Sequence, residues 1–117
     1  MTDPTQTAIP PDPQIFDCVS FHDPRRGNTR TGLIIGRKGK RYRLLMTAPP
    51  AVRWIAANLI GQPIFYKGKP YPPDRFIRHT EERLRLNRSA GCKANPTHAA
   101  ALREVKALLR GGGSADE

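Results

Sequence analysis

The feature that most constrains this chain is how few core-forming residues it has to work with. Leu, Ile, Val and Phe number nine, eight, three and four, 24 of 117 residues, beside a formal net charge of +10. Chains whose Leu, Ile, Val and Phe share falls below about a fifth at high net charge do not fold on their own. A compact core is therefore open to this sequence only if part of the chain stays out of it. The ends are the obvious parts to leave out. Residues 1–14 carry Pro4, Pro10, Pro11 and Pro13 with little apolar content, and the last seven residues run Gly111-Gly112-Gly113-Ser114-Ala115-Asp116-Glu117. Neither end can offset its ordering entropy by burial. The expected organisation is an acidic Pro-rich disordered tail over 1–14, a single basic α+β domain over 15–110 and a flexible Gly-rich tail over 111–117.

Charge divides the chain more sharply than hydropathy does. Residues 1–23 hold four acids and no Lys or Arg, residues 24–80 hold thirteen Lys/Arg and one acid, and residues 81–117 hold seven bases and five acids. Fourteen of the twenty basic residues are Arg, whose planar fork of donors matches phosphate oxygens. A GC-rich genome would give the same Arg bias without any phosphate partner. No apolar run reaches the ~18 residues of a membrane helix, so no membrane partner is expected. There is no basic-then-apolar leader at the N-terminus, and two cysteines make no disulfide framework. The expected compartment is a reducing cytoplasm.

Ile15 to Phe21 alternates imperfectly, with Ile15, Val19 and Phe21 on one parity, and the stretch from Asp23 to Asn28 is rich in turn formers. Thr29 to Arg37 is a second strand. Arg37-Lys38-Gly39-Lys40 is a tight turn. Arg41 to Thr47 is a third strand, with Tyr42, Leu44 and Met46 on one face and Arg41, Arg43 and Leu45 on the other. Pro49-Pro50 then suits a first helical turn. Val52, Ile55, Ala56, Leu59 and Ile60 follow at i, i+3, i+4, i+7 and i+8, so a helix over about 50–60 is expected, stopped by Gly61. Trp54 lies off that stripe, either as an exposed partner anchor or covered by a wider apolar face. Pro63 to Tyr71 is extended, with a Lys67-Gly68-Lys69 turn. Residues 74–86 fit a last strand or a short helix. Asn95 and Pro96 open a C-terminal helix over about 96–110, with Leu102, Val105 and Leu109 on one face.

Two short strands meeting at a Gly/Lys turn, Val19-Ser20-Phe21 with Thr29 to Arg37 and then Lys40 to Met46, resemble the opening of a small SH3-like barrel of the KOW or Tudor type. The likeness covers about residues 15–47. It implies an SH3-like β-barrel or strongly bent antiparallel sheet, and binding of nucleic acid or protein through loops and an open face. The inserted helix departs from that pattern.

The candidate site is the basic hairpin. Clustered Lys and Arg give salt-sensitive, sequence-independent contacts to phosphate. Arg25, Arg26 and Arg30 precede the hairpin, Arg37, Lys38, Lys40, Arg41 and Arg43 form it, and Lys67 and Lys69 extend the track. Tyr66 and Tyr71 flank the second turn and are candidates for stacking on unpaired bases. The plainer alternative is a solvated positive face with its aromatics in a core. Cys18 with His22 and Cys92 with His98 lack the spacing of a zinc site, and no cofactor or metal is expected. Glu81 and Glu82 near His79 point apart, and no phosphate loop or nucleophile elbow is present, so no enzymatic activity is expected. The leading expectation is a non-enzymatic nucleic-acid-binding accessory or regulatory protein contacting DNA or RNA phosphates. The alternative is a protein-interaction module of phage, plasmid or anti-defence type, docking on an acidic protein or ribonucleoprotein complex.

Overall fold

The computed structural model describes residues 13–47 and 49–114, the last four of these by backbone alone. Five strands form one antiparallel sheet: β1 (Cys18–Asp23), β2 (Asn28–Lys38), β3 (Arg41–Thr47), β4 (Pro50–Ala56) and β5 (Ile60–Pro63). They lie in the order β4-β3-β2-β1-β5. The chain thus meanders through four strands, makes a 3-10 turn at Ala57–Leu59 and returns to lie beside β1. A two-stranded hairpin, β6 (Phe65–Tyr66) with β7 (Lys69–Pro70), leads into α1 (Pro73–Ser89) and α2 (Pro96–Ser114).

A chain poor in apolar residues builds its core by burying both faces of the sheet. Cys18, Leu33 and Leu45 face the helices and pack with Phe76 and Ile77 of α1 and Ala101, Leu102 and Val105 of α2. Val19, Phe21, Ile34, Tyr42, Leu44, Met46 and Ile55 form a second cluster on the other face. The consecutive apolar residues Leu44-Leu45-Met46 are therefore all fully buried, alternating between the two cores. In β2 the pairing slips between Ile34 and Gly36, so Ile35 and Gly36 together oppose Arg43. Ile35 stays on the helix side with Leu33, and a bulge of this kind bends the strand and adds local twist.

The sheet bends strongly without closing. β4 and β1 are three strand steps apart, about 14 Å if the sheet were flat at ~4.8 Å per step. Yet the Arg53 guanidinium on β4 reaches the Asp23 carboxylate on β1 at 2.9 Å. The inner cluster fills the hollow of that bend, an arrangement compatible with a barrel-like fold.

Residues 50–60 are the main correction to the sequence reading. The expected helix is instead β4, the 3-10 turn and the start of β5. Val52 packs toward the helices and Ile55 toward the inner core, which is the alternation of a strand buried on both sides. Short apolar runs of this kind match either period. Pairing with β3 decides the outcome, because all seven residues from Arg41↔Ala56 to Thr47↔Pro50 are in register. Pro50 is tolerated as the first residue of an edge strand. Trp54 pairs with Arg43 on the helix side of this edge and is 46% exposed. Gly61 is no helix stop. A Cβ there would lie 2.8 Å from the Ser20 hydroxyl, so glycine is what lets β5 approach β1.

The helices follow their local signals. Residues 74–86 resolve as helix, part of α1, with Phe76, Ile77 and Thr80 buried and Asp74 in the first turn, where its charge complements the helix dipole. The Thr80 hydroxyl donates to the Phe76 carbonyl (2.8 Å) and receives that of Thr47 (2.8 Å), pinning α1 to β3. Asn95 caps α2 as expected, its side-chain oxygen accepting the N–H groups of Thr97 (3.1 Å) and His98 (3.2 Å). Helix α2 runs to Ser114, past the stop expected at Gly111; glycine lowers helix propensity by about 1 kcal/mol and does not forbid helix. Lys106 and Glu81 pair across the two helices. Most of the acidic tail lies outside the described residues, as do the last three residues of the chain.

Candidate nucleic-acid interface

The β2–β3 hairpin carries the densest free positive charge. Gly39 turns it with φ +61°, a conformation that costs glycine little. Lys38 and Arg41 sit directly opposite each other across the strands, a like-charge pairing that opposes folding. Lys38, Lys40 and Arg41 are exposed. The Arg37 guanidinium lies 5.2 Å from the centre of the Tyr42 ring, and its Nε donates to the Gly39 carbonyl at 3.4 Å. None of these four side chains makes an ion pair among the described residues.

The other expected contacts separate from this tip. Arg30 is bound to Asp23 at 3.0 Å, with only 12% of its side chain exposed. Arg43 lies 3.9 Å from Glu104 of α2. Arg25 and Arg26 are exposed in the β1–β2 turn, at the far end of β2 from the tip. Ten residue steps at ~3.3 Å put the two ends roughly 33 Å apart. The single track read from the sequence is therefore a tip cluster, a distant Arg pair and two arginines held by carboxylates.

The second hairpin is also basic. Lys67 and Gly68 both have positive φ, 53° and 80°, which a two-residue hairpin turn of the favoured type requires. Lys67 lies 5.3 Å and Arg75 of α1 lies 4.3 Å from the centre of the Tyr66 ring. Tyr71 meets Tyr66 edge-on with centroids 5.9 Å apart and packs partly buried against the helix-side core. The Tyr66 ring thus already carries cation contacts, and Tyr71 has a packing role. Arg75 was not expected from the sequence, since the helical or extended nature of its segment was open.

The strongest electrostatic constellation is one the sequence did not expose. Asp23 is fully buried, and Arg30 and Arg53 reach it from two other strands. Its side chain also accepts the Arg25 N–H at 3.0 Å. Burial pushes the Asp23 pKa up, but the bonds from Arg30, Arg53 and Arg25 outweigh it and hold the carboxyl at about 2. Arg25 and Arg30 are among the basic residues singled out from the sequence; Arg53 and Asp23 are not, because a helix over 50–60 and a turn from Asp23 give them no common neighbour.

The remaining reactive groups are set apart. Burial, aided by the Asp17 charge, pushes the Cys18 thiol up to about 12, so it is a neutral core residue at pH 7. Cys92 is exposed in the connection between the helices. Among the described residues no three His, Cys, Asp or Glu side chains gather as metal ligands, and no helix is long and apolar enough to cross a membrane. Comparison with protein-family models, with curated proteins and with solved structures finds no match to this chain.

Proposed function

We propose that this is a non-enzymatic nucleic-acid-binding accessory protein that grips phosphates with the tip of its β2–β3 hairpin. The observation that carries the reading is the contrast among its cations. Arg30 and Arg53 share the Asp23 carboxylate and Arg43 lies 3.9 Å from Glu104, whereas Arg37, Lys38, Lys40 and Arg41 are crowded together with no carboxylate partner among the described residues. Crowding of this kind opposes folding and is relieved by a polyanion. We read the bent sheet as an SH3-like barrel of KOW or Tudor type acting in the cytoplasm; the return of β5 to β1 supports that reading.

The test is the salt dependence of binding. Changing Arg37, Lys38, Lys40 and Arg41 to Gln should lower affinity for duplex DNA. The slope of log K against log salt should fall by about 0.9 per lost contact, or about 3.6 for all four; for single strands the figures are about 0.7 and 2.8. Arg103→Gln, Lys106→Gln and Arg110→Gln together should lower the slope by far less per charge. Equal loss per charge in the two sets would reduce the interaction to net charge and refute the site.

A second reading has its own observation. Trp54 stands 46% exposed on β4, a strand with an open edge, and Trp is a frequent anchor at protein interfaces. A protein partner retained after nuclease treatment, and lost with Trp54→Ala, would favour an interaction module docking on an acidic protein.

A further inference from the structure

A cavity of about 620 Å³ lies between the end of α1, the 90–95 connection and the start of α2. Arg83, Arg88 and Lys93 line it and no carboxylate does. Arg83 with Asn87 and Leu84 with Arg88 are i,i+4 neighbours on two adjacent rows of the helix, and all four line the cavity. Arg88 also sits in the last turn of α1, where a cation complements the helix dipole. Arg83 and Lys93 have no such role, and none of the three cations makes an ion pair among the described residues. Three exposed cations without a carboxylate partner among the described residues thus border one hollow, a charge arrangement that favours an anion.

The rest of the lining says what kind of anion. Pro49, Pro50, Leu84 and Ala99 make much of the wall apolar, which free phosphate does not need. Two Asn residues are present, in different states. Asn95 is engaged at both ends of its amide, accepting from Thr97 and His98 and donating to the Pro50 carbonyl at 3.2 Å. Asn87 lines the cavity half-buried with no hydrogen bond to its side-chain amide among the described residues. A free Asn amide offers the paired donor and acceptor that match the N6/N7 edge of adenine. The volume lies within the range of small-molecule and cofactor sites.

We infer that this cavity binds a nucleoside 5′-phosphate, the phosphate held by Arg83, Arg88 and Lys93 and the base laid on the apolar wall against Asn87. It lies beside Pro50, at the end of β3 and β4 opposite the basic hairpin. It therefore does not rest on the hairpin reading. The nucleotide can be free or the 5′ end of a strand.

The test is an NMR titration of the whole chain with AMP, adenosine, inorganic phosphate, and 5′-phosphorylated and 5′-hydroxyl oligo(dA). AMP should shift the amides of residues 83–99 saturably, with an affinity at least tenfold above those of adenosine and phosphate. Arg83→Gln with Lys93→Gln should weaken AMP at least tenfold. Asn87→Ala should narrow the advantage of AMP over phosphate, leaving the part that the apolar wall supplies. The four-residue hairpin variant should leave AMP binding unchanged, so the two sites fail separately. A 5′-phosphorylated strand outcompeting AMP assigns the site to strand ends, and the reverse assigns it to free nucleotide. Equal binding of AMP and phosphate, or no saturable shift in 83–99, overturns the inference.

Discussion

Gly61→Ala tests the architecture at the point where the sequence reading and the structure part most sharply. A Cβ at position 61 would stand 2.8 Å from the Ser20 hydroxyl and 3.3 Å from the Ser20 carbonyl oxygen. That hydroxyl accepts the Gln62 N–H at 3.1 Å and donates to the Gln62 carbonyl at 3.2 Å. Relief of the clash requires the hydroxyl to swing away, losing two hydrogen bonds at about 1 kcal/mol each, or β5 to withdraw from β1. Residual overpacking adds up to about 1 kcal/mol, and the stiffer unfolded chain returns about 0.5 kcal/mol. The net expectation is a loss of about 2 kcal/mol, read in urea as a midpoint lowered by roughly 1 M for a slope near 2 kcal/mol/M. The mechanism is specific to Ser20, so the Gly61→Ala/Ser20→Ala double variant should be less destabilised than the sum of its singles by at least about 1 kcal/mol. A helix-terminating glycine would show no such coupling. Additivity within about 0.5 kcal/mol, or a single variant that loses less than that, would refute the close approach of the two strands.

Two further outcomes follow from the ion-pair centre and the helix layer. The Asp23 pKa is depressed to about 2 from 3.8, so its contribution is present above pH 3.8 and is lost as the pH falls through 2; Asp23→Asn should flatten the acid-unfolding profile over that window, and superimposable profiles would show that the pairs with Arg30 and Arg53 contribute nothing. Leu102→Asp or Val105→Asp, which puts a carboxylate among buried apolar side chains, should cost about 3 kcal/mol or more. Leu108→Asp, at a position 54% exposed, should cost less than about 0.5 kcal/mol; equal losses by thermal denaturation would mean that α2 does not pack as described.

Several elements were legible from local chemistry alone. The β2–β3 hairpin follows from a Gly turn between alternating runs, and the start of α2 from Asn95 and Pro96, because turn and cap preferences act through the backbone of a few neighbouring residues. The charge partition and the free cations at residues 37–41 were likewise readable, since exposed hairpin tips keep their charges in water. Residues 50–60 were not readable: their apolar spacing fits one helical face as well as a strand buried on both sides, and only β3 as a neighbour breaks the tie.

What the chain determined by itself was the set of turns, the helix start at Asn95 and a basic middle flanked by more acidic ends. What tertiary structure decided was which of those charges are spent. Arg30 and Arg53 look like any other surface arginines in sequence, yet the bend of the sheet brings them from two strands onto one buried carboxylate. Arg37, Lys38, Lys40 and Arg41 reach no such partner. Charge adds along a chain whatever the fold, but neutralisation depends on distances of a few ångströms between residues far apart in sequence, and those distances exist only once the sheet has curled.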